Sequence, residues 1–238
     1  YYFAVERVNA NSQFLEVSMS KQNMYSFDQV VHSVTWQPGS SRTLEFGDYG
    51  GALDVRPSSN ALLINVTDGA SISSTVFNAT VGQVAYELPY AESSDTGLFL
   101  KGDSRTVVNQ SGSEISQLSV QNGAHHVEVQ LSYRPVVSVA LETGSNTTIN
   151  DVSIYLVSLN SSQEISVSGN IPLVVSCTTI ENIIMSYNVS YQVNSLAVTA
   201  ILNGTVGQVS VPILSTSGGA TINVKLVLCN IQIERWTG

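Results

Sequence analysis

Apolar and polar residues alternate at every second position through most of this chain, and that rhythm constrains the fold more than any other feature. In HHVEVQLSY, His125, Val127, Val129, Leu131 and Tyr133 face one way, while His126, Glu128, Gln130 and Ser132 face the other, because successive strand side chains point to opposite faces. IIMSYNVSYQV repeats the pattern with Ile183, Met185, Tyr187, Val189, Tyr191 and Val193. LAVTAIL, the NGT triplet and GQVSVPIL read as a hairpin, since Asn-Gly favours a two-residue turn. The last run, TINVKLVLCNIQIERW, changes phase around Lys225 to Leu228, which implies a bulge or a strand buried on both faces. No amphipathic helix of useful length is expected, and EFGDYGGALDVRP and YELPYAESSDTG read as the principal loops. Many short strands separated by such turns imply an all-β fold, an immunoglobulin-like or Greek-key β-sandwich. At 238 residues there is room for one large domain or two β subdomains. LETGSNTTIND suggests a boundary between a β-rich part at 23–140 and a compact β-rich part at 141–238.

The opening stretch, YYFAVERVNANSQFLEVSMS, reads as an extended N-terminal strand over residues 1–22. On it Tyr1, Phe3, Val5, Leu15, Val17 and Met19 share one side. It is either the first strand of its own sandwich or an arm that supplies a strand to a neighbouring subunit. Twenty extended residues reach roughly 65 Å at about 3.3 Å each, enough to cross a sandwich. The start on Tyr rather than Met is read as removal of a signal peptide.

Charge excludes several partners. The net charge is −9 and charged residues make up 11% of the chain, against roughly 25% in ordinary globular domains. With three Lys, six Arg and no basic cluster, nothing is set to neutralise phosphates, so neither nucleic acid nor an anionic membrane is an expected partner. No run approaches the roughly 20 apolar residues of a membrane span.

Ser, Thr and Asn supply most of the polar surface, and seven N-x-S/T sequons occur, at Asn65, Asn78, Asn109, Asn146, Asn160, Asn188 and Asn203. A composition this rich in those residues yields several by chance, so placement is the better guide. Asn109, Asn146 and Asn160 fall in polar turn-like clusters, Asn203 opens the NGT turn, and Asn65 and Asn188 lie on the polar phase of strands. N-linked glycans on an extracellular protein are the expectation. Cys177 shares strand phase with Leu173 and Val175, and Cys229 with Ile231 and Ile233. Both therefore point into a core, where a structural disulfide would stabilise the fold by about 4 kcal/mol.

Catalytic chemistry finds little support. A nucleophile needs a base within hydrogen-bond reach, and the adjacent His125 and His126 point to opposite faces of a strand. GDSR at 102–105 lacks the strand-to-helix setting of an esterase nucleophile. His126 and Glu128 lie two apart on one face, which reads as a solvated strand face rather than half of a metal site. Asp48 and Asp54 flank a Gly-rich loop without the dense carboxylates of a calcium loop. No catalytic residue, metal or cofactor is expected.

A processed β-rich chain with sparse charge, scattered sequons and the apolar N-terminal residues above resembles, in organisation, the subunits of archaeal surface filaments called threads. The resemblance implies a glycosylated, pilin-like subunit polymerising head-to-tail, with Tyr1, Phe3, Val5, Leu15, Val17 and Met19 filling a neighbour's groove by donor-strand exchange. The chain end, IQIERWTG, departs from chaperone–usher pilins, which end in a chaperone-paired strand with a near-terminal Tyr. The expected role is therefore structural: a cell-surface homopolymer for adhesion or cell–cell contact. A virion coat or surface-layer protein is the alternative, and a secreted carbohydrate-binding module presenting Trp36 or Trp236 is a further one.

Overall fold

The computed structural model describes residues 2–89, 97–110, 114–123, 126–143 and 148–237, without side-chain placement for 2–11 and 143. The chain is mostly β, and the described residues form three antiparallel-rich sheets. A long sheet has the order β1-β13-β16-β11-β10-β7, from β1 (Ser41–Phe46), β7 (Val108–Asn109), β10 (Val136–Thr143), β11 (Thr148–Ser158), β13 (Ile171–Val189) and β16 (Ala220–Arg235). A second sheet runs β12-β2-β5-β9-β8-β6, from β2 (Ala52–Arg56), β5 (Gln83–Pro89), β6 (Phe99–Lys101), β8 (Ser116–Asn122), β9 (His126–Tyr133) and β12 (Ile165–Ser168). A small third sheet runs β15-β14-β3-β4, from β3 (Ala61–Thr67), β4 (Ser73–Thr80), β14 (Ser195–Leu202) and β15 (Thr205–Pro212). The Asn-Gly turn joins β14 to β15, with Asn203 at φ 48° and Gly204 at φ 83°, the left-handed values that a two-residue hairpin turn requires.

The long sheet is shared by two cores. In β16, Ile222, Val224, Leu226 and Leu228 belong to a core with the small sheet, whereas Cys229, Ile231 and Ile233 belong to a core with the second sheet. Even and odd strand positions face opposite ways, so the two cores lie on opposite faces of the long sheet, toward its two ends. Residues 226–231 are all buried, because there both faces are covered. The partner strand β13 carries a bulge between Cys177 and Thr179. That extra residue lets odd positions serve the first core up to Cys177 and the second from Met185 to Val189.

Each sheet draws strands from both sides of residue 140, as β1 pairs with β13 and β3 with β14. A boundary at 140/141 therefore does not divide the fold; the two cores do, and they interleave along the chain.

The N-terminus corrects the sequence reading. Residues Tyr2–Val34 form one helix, α1, not an extended arm over 1–22. Its buried positions are Val17, Ser20, Met24, Phe27, Asp28, Val31 and Val34, a spacing of threes and fours that makes one helical face. This face packs on β1, β5, β8, β9 and β13, with Phe27 edge-on to Phe46 at 6.3 Å. Leu15, Val17 and Met19 consequently do not share a side: Val17 is buried, while Leu15 and Met19 face solvent. Phe3 and Val5 are helical, and Tyr1 lies outside the described residues. In its helical state this segment pairs its interior backbone N–H and C=O groups within the helix and presents no extended strand.

Candidate functional site

Helix α1 is the element whose surfaces ask for a function. Its buried face is held by a polar hub. The fully buried Asp28 accepts hydrogen bonds from Lys101 Nζ at 2.7 Å, Ser116 Oγ at 3.2 Å and Tyr133 OH at 3.2 Å. Burial alone would lower the Lys101 pKa, but the hydrogen bond and charge of Asp28, with Glu114 beside it, outweigh burial and hold it above the ordinary lysine value. Burial first, and then the Asp28 charge, push the Tyr133 phenol well above its ordinary value. His32 Nε2 completes the cluster, 3.7 Å from Asp28 Oδ1 and 3.5 Å from Ser116 Oγ. The residue types match a nucleophile triad, but the geometry does not. One ring nitrogen faces both the hydroxyl and the carboxylate, whereas a relay needs them on opposite nitrogens. Ser116 is also fully buried. The hub anchors the helix.

The outer side of α1 is unusually apolar. Phe14 is 74% exposed, Leu15 58% and Met19 46%, and on a helical wheel all three lie outside the buried arc. They lie within three residues of the buried Val17. Among the described residues, no helix is long and apolar enough to cross a membrane.

The solvent face of the second sheet holds Glu87, His126 and Glu128, whose ligand-type atoms lie within 4.8 Å of one another. Glu87 and Glu128 are directly cross-strand, a repulsive pairing, and Arg56 resolves it. Its guanidinium donates to Glu128 Oε1 at 2.6 Å, to Asp54 Oδ2 at 2.9 Å and to Glu87, and Gln130 donates to Glu128 Oε2. Burial lowers the Arg56 pKa, yet Asp54 and Glu128 raise it overall. A cation here would have to displace Arg56, so the cluster reads as an ion-pair network. His125 lies outside the described residues. The neighbouring cleft, of about 600 Å³, is lined by Asp48, Gly50, Gly51, Glu87, Pro89 and His126 among others, and by neither Trp. Trp36 instead stands edge-on to Tyr155 at 5.6 Å, and Trp236 is exposed.

The GDSR segment is structural. Arg134, buried to 1%, donates to the Asp103 carboxylate at 2.6 Å and to the Asp103 and Arg105 carbonyls. The guanidinium of Arg105, then that of Arg134, holds the Asp103 carboxyl well below the usual carboxylate range.

Cys177 and Cys229 are both fully buried, with sulfurs 3.5 Å apart as free thiols. They sit beside the β13 bulge, where the two cores change faces. Burial pushes the Cys229 thiol up to about 12, against a hydrogen bond from the Trp36 backbone and reinforced by Cys177. Of the sequons, Asn78, Asn109, Asn160, Asn188 and Asn203 are exposed and Asn65 is half-buried. Asn203 already donates to Asn60 Oδ1 at 2.8 Å, and Asn146 lies outside the described residues. Comparison with protein-family models, with curated proteins and with solved structures finds no match to this chain.

Proposed function

We propose that this chain is a non-enzymatic structural subunit of an extracellular, glycosylated surface polymer, joined to its neighbours by the N-terminal part of α1. One observation carries the reading: Phe14 and Leu15, two large apolar side chains, stand in solvent beside the buried Val17. A helix of 33 residues is about 50 Å long at 1.5 Å per residue. Exposed apolar ridges of that kind pack between helices of neighbouring copies. Adhesion or cell–cell contact would then belong to the polymer rather than to a pocket. Sparse charge and sequons at exposed positions suit a glycan-covered exterior. In such an oxidising setting the Cys177 and Cys229 thiols give up two protons and two electrons to a disulfide oxidant and close a bridge, which intact-mass analysis reads as a loss of two hydrogens.

Electron microscopy tests the joint. The full chain is expected to form linear polymers, and the doubly substituted Phe14→Ser, Leu15→Ser chain to form none, with an unchanged melting temperature. Polymers formed equally by both chains would refute the helical joint. A surface-layer or coat protein is the second reading, favoured by an unprotected strand edge that offers lateral rather than end-to-end contact.

A further inference from the structure

That edge belongs to β13. Its first part is flanked on both sides, by β16 from Leu173 onward and by β1 from Ile171 to Ser176. Backbone bonds from Gly39 and to Ser40 extend that cover to Cys177. Beyond the bulge, Thr179–Val189 pairs with β16 alone, and among the described residues no strand lies on its other side. In an antiparallel ladder every second residue turns its N–H and C=O away from its partner, so this stretch offers a row of open main-chain groups. It is also apolar, with Ile184 63% exposed and Ile183 40% exposed.

Most of the other sheet edges are short or carry a charge or a proline. β6, β7 and β12 have four residues or fewer. β1 carries Arg42 and Glu45, and β15 ends at Pro212 and packs Gly207 against Thr106. Short length, charge and proline are the usual devices that stop edge-to-edge pairing. The stretch TIENIIMSYNV has no Lys, Arg or Pro, and its sequon, Asn188, lies next to its end. Its one charge, Glu181, is held in place by Asn230 Nδ2 at 2.7 Å. The strand is also rigid for its length, since Ser186 and Asn188 hydrogen-bond to Asn223 and Thr221 of β16.

We infer that this edge pairs with the same edge of a second copy, antiparallel about a two-fold axis at Ile184, fusing two long sheets into one. Full overlap of Thr179–Val189 with itself fixes that register. Ile184 then faces its own copy, Ile183 faces Met185 and Glu181 faces Tyr187. The carboxylate thus meets a phenol rather than a second carboxylate, which makes the edge self-complementary in charge as well as in shape. An isologous contact of this kind closes on itself as a dimer. It links subunits sideways and is independent of the helical joint proposed above.

Cysteine cross-linking of the full chain tests the register. Ile184→Cys, oxidised with copper phenanthroline, is expected to give a disulfide-linked dimer as its main product. Glu181→Cys, displaced from the axis and opposed by Tyr187, is expected to give at least about tenfold less under the same treatment. In the Phe14→Ser, Leu15→Ser background, Ile184→Lys places two ammonium groups face to face across the axis and is expected to shift sedimentation from paired to unpaired subunits without lowering the melting temperature. Equal cross-linking at 181 and 184, or none at 184, would overturn the inference. Because the readout is local, the Phe14→Ser, Leu15→Ser background separates the two contacts. If the helical joint alone is wrong, that background still polymerises and still cross-links at 184. If the edge alone is wrong, linear polymers persist while cross-linking fails.

Discussion

The two cores are fastened to the same sheet by opposite means. The first traps a helix against β strands and holds it with Asp28, a buried carboxylate that gathers Lys101, Ser116 and Tyr133. The second is sheet on sheet, with Ile64, Val66, Val198, Ile222, Val224 and Leu226 meeting side chain to side chain. Its fully buried polar residue, Asn150, exchanges hydrogen bonds with the Leu214 backbone to pin a loop. Apolar contact gives strength without direction, whereas a buried ion pair fixes one position at a cost in desolvation. A helix that must sit at one height on a sheet gains from the second device. Two sheets locked by their ladders do not need it.

The comparison can be broken most forcefully at Asp28. Asp28→Ala leaves the Lys101 ammonium and two hydroxyls without their acceptor, and is expected to cost about 3–5 kcal/mol in urea unfolding. Val224→Ala, on the strand that serves both cores, removes only apolar volume and is expected to cost about 2 kcal/mol. Since β13 and β16 run through both cores, each variant should still unfold in one transition. Two separate transitions would show that the halves are independent. Acid should discriminate least. Asp103 beside Arg134 and Asp68 at the rim of the second core are both depressed. For Asp103 the cause is the two guanidinium groups. For Asp68 burial opposes, and the Tyr191 hydroxyl with three backbone amides prevails. A depressed carboxylate adds stability that is complete above its unfolded value and lost as pH falls through its folded one. Melting temperature should therefore hold from neutrality down to about pH 3.8 and drop only below it, less steeply in Asp103→Asn. A decline beginning near neutrality would assign acid sensitivity to other groups.

The same contrast explains what was legible in the sequence. The second core announces itself: its strands alternate cleanly, and Asn203-Gly204 marks its hairpin. The helix is concealed because its buried arc contains Ser20 and Asp28 while its outer arc carries Phe14, Leu15 and Met19. Polarity and burial are thus partly inverted, and the period of 3.6 is blurred. The residues in step at 15, 17 and 19 then imitate a strand. The signal that survives is the spacing of Val17, Met24, Phe27, Val31 and Val34, read without the polar members. The phase change in β16 was visible because even and odd positions exchange roles at Leu228 and Cys229. The matching bulge in β13 was not, because odd positions stay apolar on either side of it while changing the face they serve. Both cysteines were correctly directed into a core, and the structure brings their sulfurs together. The hub around Asp28 unites residues between 28 and 133, and no spacing in the chain foretells it.

Amide hydrogen exchange of the assembled polymer against the isolated subunit bears most directly on the claim that α1 is the joint. Assembly is expected to slow exchange by at least about tenfold across Phe14–Met19, with the Val31–Val34 turn, already buried in the single subunit, unchanged. Equal exchange across Phe14–Met19 in polymer and subunit would mean that the polymer is joined elsewhere, and the account of α1 as the joint would be wrong.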